Sequence, residues 1–206
     1  SRFRNTIDSA ILTAGSTNAN YILAFNNLFI RDVGYTRRGS NFISSSAAID
    51  LNGGRGHVIE QNRVEGEYTR GVYLYGGVRG AQVKQNTFIN LTNTGSGVAV
   101  PLDLQVAYQA LIEGNTTVNS EGQAIYLYGL RDSTIRNNSI DDPFSEVGLQ
   151  IATFGGQVSS NLTISGNTIR GATNAIWDQG LSGSLALRFF GNEISGYTGN
   201  AYNLGA

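Results

Sequence analysis

The chain has no cysteine, two prolines, a single histidine and little charge, and each shortage closes off a class of protein. Without cysteine there can be neither a disulfide framework nor a thiolate metal site. His57 stands alone, so one chain cannot build a His–His metal site or a histidine dyad. Charged residues are 14% of the 206, the formal net charge is −1, and the basic side consists of arginines plus the single Lys84. That balance gives no electrostatic footprint for nucleic acid. No run of eighteen apolar residues and no basic-then-apolar leader occurs, so membrane insertion is not expected. No metal and no other cofactor is expected. No segment sustains an apolar stripe at i, i+3, i+4, i+7, and 27 glycines would make any helix marginal, so the expected class is all-β.

What the sequence does have is a recurring phrase. Ile135-Arg136-Asn137-Asn138-Ser139-Ile140 returns as Val83-Lys84-Gln85-Asn86-Thr87-Phe88, as Ile59-Glu60-Gln61-Asn62-Arg63-Val64 and as Ile164-Ser165-Gly166-Asn167-Thr168-Ile169. Looser copies place further asparagines at Asn27, Asn115 and Asn192. Successive asparagines are 35, 24, 29, 23, 29 and 25 residues apart, a period of stacked supersecondary units. Each unit also holds a partner strand that opens on a small residue: Ala48-Ile49-Asp50-Leu51, Gly71-Val72-Tyr73-Leu74-Tyr75, Gly97-Val98-Ala99-Val100, Ala124-Ile125-Tyr126-Leu127-Tyr128, Gly148-Leu149-Gln150-Ile151, Ala175-Ile176-Trp177-Asp178 and Ala201-Tyr202-Asn203-Leu204. Short strands at this period, joined by glycine-rich turns, wind into a solenoid with parallel coils, and parallel crossovers are overwhelmingly right-handed. The repeated asparagines are expected to face inward as a hydrogen-bonded ladder. The outward column Phe25, Glu60, Lys84, Glu113, Arg136, Ser165, Phe190 alternates in sign at its centre and is expected to form cross-strand ion pairs.

These phrases resemble the right-handed parallel β-helix proteins of pectin-lyase-like architecture, whose coils carry Ile-x-Asn-Asn-x-Ile followed by Gly-Ile-x-Leu. The resemblance covers roughly residues 20 to 205 and implies a right-handed parallel β-helix of about seven coils. Residues 1–20 are expected to cap the first coil or connect it to something upstream. Residues 21–206 form the β-helix domain, expected to be a module of a larger protein, with further domains or a homo-oligomer covering the solenoid ends. The family includes polysaccharide lyases, glycoside hydrolases, uronan epimerases, phage tailspikes and non-catalytic surface proteins, so the fold alone does not assign function.

The outward positions of the partner strands read Asp50, Tyr73, Ala99, Tyr126, Gln150, Trp177 and Asn203, with a second column of Asn52, Tyr75, Pro101, Tyr128, Ala152 and Gln179. Rings on every second coil would lie about 10 Å apart, twice the strand spacing. Flat rings with a hydrogen-bonding group suit sugar faces, and a row of exposed aromatics calls for a partner. The turn before this strand offers Arg70, Glu67, Glu121 and Glu146 as a polar rim. The expected ligand is a polysaccharide, contacted by Asp50, Arg70, Tyr73, Tyr75, Tyr126, Tyr128, Gln150 and Trp177, on a protein at the outer surface of a bacterium or phage or secreted from it.

Two other readings stand beside that one. A lyase, hydrolase or epimerase would need an acid and base on the same face, with Arg70, Arg131 and Tyr126 available beside Asp50 or Asp103. Neither the Asp-Pro-His phrase of mannuronan epimerases nor the aspartate cluster of pectate lyases occurs, so no catalytic residue is assigned. A structural spacer or adhesin stalk is the third reading. Four further features are singled out. The acid pairs Glu65/Glu67 and Asp141-Asp142 read as turn residues. His57 is placed at the mouth of the second coil's strand. Asp178 falls where alternation aims it inward: either it is a buried carboxylate with partners or, the preferred reading, a bend in the strand turns it out. Arg55, Arg79 and Arg131 form a stacked trio interrupted by Tyr108, read as solvated turn arginines or as contacts for an anionic glycan.

Overall fold

The computed structural model describes residues 1–5, 9–13, 19–32, 47–92, 99–153, 156–179 and 186–204. Among these the regular elements are all strands, with no helix. The strands sort into three parallel sheets of eight, eight and seven, and each sheet takes every third strand of the chain. One coil is therefore three strands long, not two.

The third strand comes from inside the recurring phrase, which is two strands with a corner between them. In the second copy, Val58–Glu60 belongs to one sheet and Arg63–Gly66 to the next, with Gln61-Asn62 at the corner. We call the first sheet C (Leu23–Phe25 through Arg188–Phe190), the second A (Arg2–Arg4 through Glu193–Ser195), and the sheet of partner strands B. Sheet B runs Ile11–Thr13, Ala47–Asn52, Arg70–Tyr75, Val100–Gln105, Gly122–Tyr128, Ser145–Ala152, Asn174–Asp178, Tyr202–Leu204. Although residues 1–20 hold no copy of the phrase, they contribute a strand each to sheets A and B, pairing Phe3 with Phe29 and Ile11 with Ile49.

The C–A corner is the same two residues long in every copy. Its first residue is left-handed: Asn26, Gln61, Gln85, Gly114, Asn137, Gly166 and Gly191 have φ between 51° and 64°. Glycine and asparagine tolerate that conformation best, which accounts for five of the seven choices. The left-handed turn swings the second residue, always asparagine, into the stack. From Asn27 to Asn167, each side-chain Nδ2 donates to Oδ1 of the next asparagine at 2.9–3.0 Å. The same Oδ1 also accepts the preceding asparagine's backbone N–H. A second Nδ2 bond returns to a carbonyl of the previous coil, as from Asn115 to Val83 at 2.9 Å. The amides are thereby satisfied without water, the requirement for burying them.

Aliphatic columns fill the interior. Ile49, Val72, Leu102, Ile125, Leu149 and Ile176 stack in register on sheet B and are all fully buried. Each contributes roughly 1.5 to 3 kcal/mol by leaving water. Val64, Phe88, Ile140 and Ile169 do the same on sheet A, interrupted by Thr117, which enters the core with a hydroxyl. The small residue that opens each partner strand has a packing cause. A Cβ at Gly71 would come within 2.4 Å of the Phe88 ring, and one at Gly148 within 2.6 Å of Ile169 Cγ2. Where sheets A and B meet, the interior has no room for more than Ala, Gly or Pro.

The outer column on sheet C follows its expected register from Phe25 to Phe190. It makes two ion pairs, Lys84–Glu60 at 3.6 Å and Arg136–Glu113 at 2.8 Å.

Candidate functional site

Sheet B presents its outer residues as a strict alternation of polar groups and rings. In register along one column stand Asp50, Tyr73, Asp103, Tyr126, Gln150, Trp177 and Asn203. This corrects the third coil. Its strand is Val100–Gln105, so Asp103 occupies the position expected for Ala99, and the neighbouring column runs through Gln105, not Pro101. Leu102 and Leu104 face the core in place of Val98 and Val100. Gly97 and Val98 lie outside the described residues.

The second column carries Asn52, Tyr75, Gln105, Tyr128 and Ala152. The structure thus brings Tyr73 with Tyr75, and Tyr126 with Tyr128, onto the coils that flank Asp103 and Gln105. Tyr73 and Tyr75 stack with ring centroids 4.4 Å apart and planes 13° from parallel. All four tyrosines and Trp177 are half-buried, whereas the polar residues between them are closed in: Asp50 is 6%, Asp103 2% and Gln150 3% exposed. Asp50 and Gln150, expected at the ligand, are therefore floor and not wall. The rings form the accessible surface.

Asp103 is the centre of a polar network. Arg70 Nε donates to its Oδ2 at 2.5 Å, and Gln105 Nε2 donates to both carboxylate oxygens at 3.0 and 3.2 Å. The Arg70 guanidinium also lies over the Tyr73 ring, 4.4 Å from its centroid, and the Tyr73 hydroxyl donates to Gln105 Oε1 at 3.3 Å. Burial pushes the Asp103 carboxyl above the usual carboxylate range, more than Arg70 and Gln105 pull it down. The Tyr73 phenol is pushed up to about 12, by burial first and by the Asp103 carboxylate second. Tyr126 rises for the same two reasons, and Tyr75 through burial and then the charge of Asp50. The phenols stay protonated across the neutral range; the Tyr73 hydrogen goes to Gln105, and Tyr75 and Tyr126 can donate to a ligand.

The rim is less complete than expected. Arg70 is half-buried and belongs to the Asp103 network, while Glu121 and Glu146 are exposed. Glu67 is 2% exposed, so it is not a rim residue. It lies beside an equally buried Arg31, whose Nη1 donates to the Glu67 carbonyl at 3.3 Å and whose guanidinium stacks on Tyr68. Phe144, which drew no attention in the sequence, is 72% exposed in the turn preceding Ser145–Ala152.

Two other candidates turn out to be structural. His57 is fully buried, with Nδ1 accepting the Ile22 N–H at 3.2 Å and Nε2 2.9 Å from the Gly53 carbonyl. The acceptor role of Nδ1 puts the proton on Nε2, so both nitrogens are committed to the backbone. Asp142 accepts from Thr117 Oγ1 at 2.7 Å and from the Ser120 N–H at 2.9 Å. It answers the hydroxyl that Thr117 carries into the core. The expected bend at Asp178 does not occur: it pairs in register with Ile151 and Leu204 and is 8% exposed, an inward carboxylate in an aliphatic column.

Residues 26–204 match the family described as the right handed beta helix region. The chain belongs to that family. The match spans the asparagine ladder and nearly all of sheet B, and it fixes the hand of this β-helix. No curated protein and no solved structure matches it. Among the described residues, no group of three or more His, Cys, Asp or Glu could hold a metal ion.

Proposed function

We propose that this β-helix binds an extended polysaccharide along the outer face of sheet B, as a module of a secreted, cell-surface or tailspike-like protein. One observation carries the reading: the in-register alternation of Tyr73, Tyr126 and Trp177 with short polar residues, doubled by Tyr75 and Tyr128. The rings recur every second coil, about 10 Å apart, a spacing commensurate with alternate sugars of a stretched chain. Tyr126 and Trp177 offer an apolar face to a sugar and a phenol or indole donor to its edge, while Tyr73, held between Tyr75 and the Arg70 guanidinium, presents its ring edge. The buried Asp103–Arg70–Gln105 network holds the tyrosine pairs apart and rigid, so that binding costs little ordering.

A glycan array followed by affinity electrophoresis tests the proposal. The wild-type chain is expected to be retarded by at least one polysaccharide, and Tyr126→Ala with Trp177→Ala to abolish the retardation. Retardation that survives in the double variant overturns it.

A catalytic reading is favoured by a separate observation. Asp50 and Asp103 lie in one column on either side of Tyr73, about 10 Å apart by strand spacing, close to the carboxyl separation of inverting glycosidases at roughly 6.5–9.5 Å. The raised pKa of Asp103 fits a general acid, but Arg70 and Gln105 occupy its oxygens. Reducing ends released from a bound polysaccharide, and lost in Asp103→Asn, would establish hydrolysis over binding alone.

A further inference from the structure

Beyond the aromatic columns, at the turn from sheet B to sheet C, a different column appears. Arg55, Arg79, Tyr108 and Arg131 bridge one another in parallel, coil upon coil. The contrast with the charged column of sheet C is sharp in sign. There Glu60, Lys84, Glu113 and Arg136 alternate and pair. Here Arg55 sits directly against Arg79, and among the described residues none of Arg55, Arg79 or Arg131 forms an ion pair. Like charges on adjacent strands oppose folding.

The pair also borders a cavity. A recess of about 240 Å³ is lined by Asn20, Gly53, Gly54, Arg55, Gly76, Gly77 and Arg79. That is roughly eight times the share of one water molecule in the liquid, room for a hydrated oxyanion or an acidic group on a sugar. Four of its seven lining residues are glycines and contribute no side chain. Gly54 and Gly76 have φ of 80° and 71°, and a Cβ there would fall within 1.8 Å of the Ala19 carbonyl or 2.0 Å of Asn52 Oδ1. Arg79 is pinned on its far side, its Cζ 4.7 Å from the centroid of Tyr108, which separates it from Arg131. With one face of the guanidinium against the ring, the N–H edges are the donors left for the recess.

The geometry points to an oxyanion-binding site formed by Arg55 and Arg79 over the glycine cradle, with Tyr108 as the platform that holds Arg79 flat. Its ligand is a carboxylate, sulfate or phosphate group received by the fork of donors that guanidinium provides. Because Gly76 directly follows Tyr75, a chain lying on the aromatic columns would place acidic pendants within reach of this recess. The oxyanion chemistry itself does not depend on the polysaccharide reading.

Two arms separate the sources of the anion. In one, sodium sulfate is titrated into the whole chain and followed by calorimetry. In the other, mobility is measured in gels containing carboxymethyl cellulose or the uncharged hydroxyethyl cellulose. The expected result is binding of sulfate, of the carboxymethyl polymer, or of both, weakened at least tenfold in Arg55→Gln with Arg79→Gln and falling with added salt. Arg79→Lys retains the charge without the fork and is expected to lose part of the affinity. Arg136→Gln, an exposed arginine with an acidic partner, is expected to lose none. Sulfate bound without the polymer supports the site and makes its ligand a free anion. The proposal is overturned if neither probe binds, or if the double glutamine variant, folded by circular dichroism, binds as the wild type does. Retardation that is equal in charged and neutral gels and unchanged by that variant would leave the aromatic face standing and remove this site. Binding of the charged polymer that survives Tyr126→Ala with Trp177→Ala would do the reverse.

Discussion

Asn115 accepts two hydrogen bonds from Asn86 on a single oxygen, one from the backbone N–H at 3.0 Å and one from Nδ2 at 2.9 Å. Deleting the Asn115 side chain strands both donors in a site without water. Each orphaned group costs about 1–3 kcal/mol, so Asn115→Ala is expected to lose roughly 2–6 kcal/mol in urea unfolding. Asn192→Ala, at a rung whose bonds are only partly buried, is expected to lose clearly less. Equal losses would show that the ladder is not energetically graded by burial.

The pH dependence of stability can be traced to Asp142. Burial holds its carboxyl above 3.8, the ordinary value, despite the bonds from Ser120 and Thr117. Between the ordinary value and the raised one, the folded chain keeps a proton that the unfolded chain has released. Stability from this site therefore falls as pH rises through that window, and Asp103 acts in the same direction. Asp142→Asn is expected to raise Tm at pH 7 and to leave it unchanged near pH 4. Each kcal/mol is worth roughly 2–4 °C in a chain of this size. A Tm difference independent of pH would refute the assignment.

Val106 has φ of 53°, where the equivalent residues of neighbouring coils are Gly53, Gly76 and Gly129. A β-branched residue is the least suited to that conformation, and such strain costs about 1–3 kcal/mol. Val106→Asn is expected to gain on the order of 1 kcal/mol, since asparagine tolerates the left-handed region without glycine's entropy. Chemical denaturation checks the sign.

Tyrosinate formation offers a direct view of the candidate face. In an ultraviolet titration Tyr73 is expected to ionise near 12, and its step is absent in Tyr73→Phe. Removing the neighbouring charge by Asp103→Asn is expected to bring that step to lower pH. A midpoint unaffected by Asp103→Asn would mean burial alone sets it.

The asparagine ladder was legible because its physics demands one residue type at one place in every coil, and seven copies repeat it. The extra strand was not legible: a left-handed Gln61 or Gln85 leaves no mark on an alternating apolar pattern, so two strands and a corner read as one. Pro101 hid the third coil. A proline argues against a strand interior, and the run from Gly97 to Val100 fits the small-then-apolar pattern as well as the true strand does. With the strand set four residues early, Asp103, the centre of the polar network, falls outside the two outward columns. At Asp178 simple alternation points inward correctly, and the cost of burying a carboxylate is what argues for a bend. Turn residues such as Glu67 and His57 were beyond reach, because nothing in a turn's sequence says which way its side chains point.

The corner between sheets C and A takes two residues in all seven copies, from Asn26-Asn27 to Gly191-Asn192. Every difference in coil length must then be absorbed at the other two corners, and both of those border sheet B. Fifteen residues separate Arg31 from Ala47 and three separate Gly66 from Arg70, at the same corner of successive coils. The fold thus has a spine of constant length and two hems of varying length, and the hems frame the face lined with rings. Loops can be lengthened, shortened or exchanged there without a single asparagine losing its neighbour, so this scaffold can be refitted to new ligands one coil at a time.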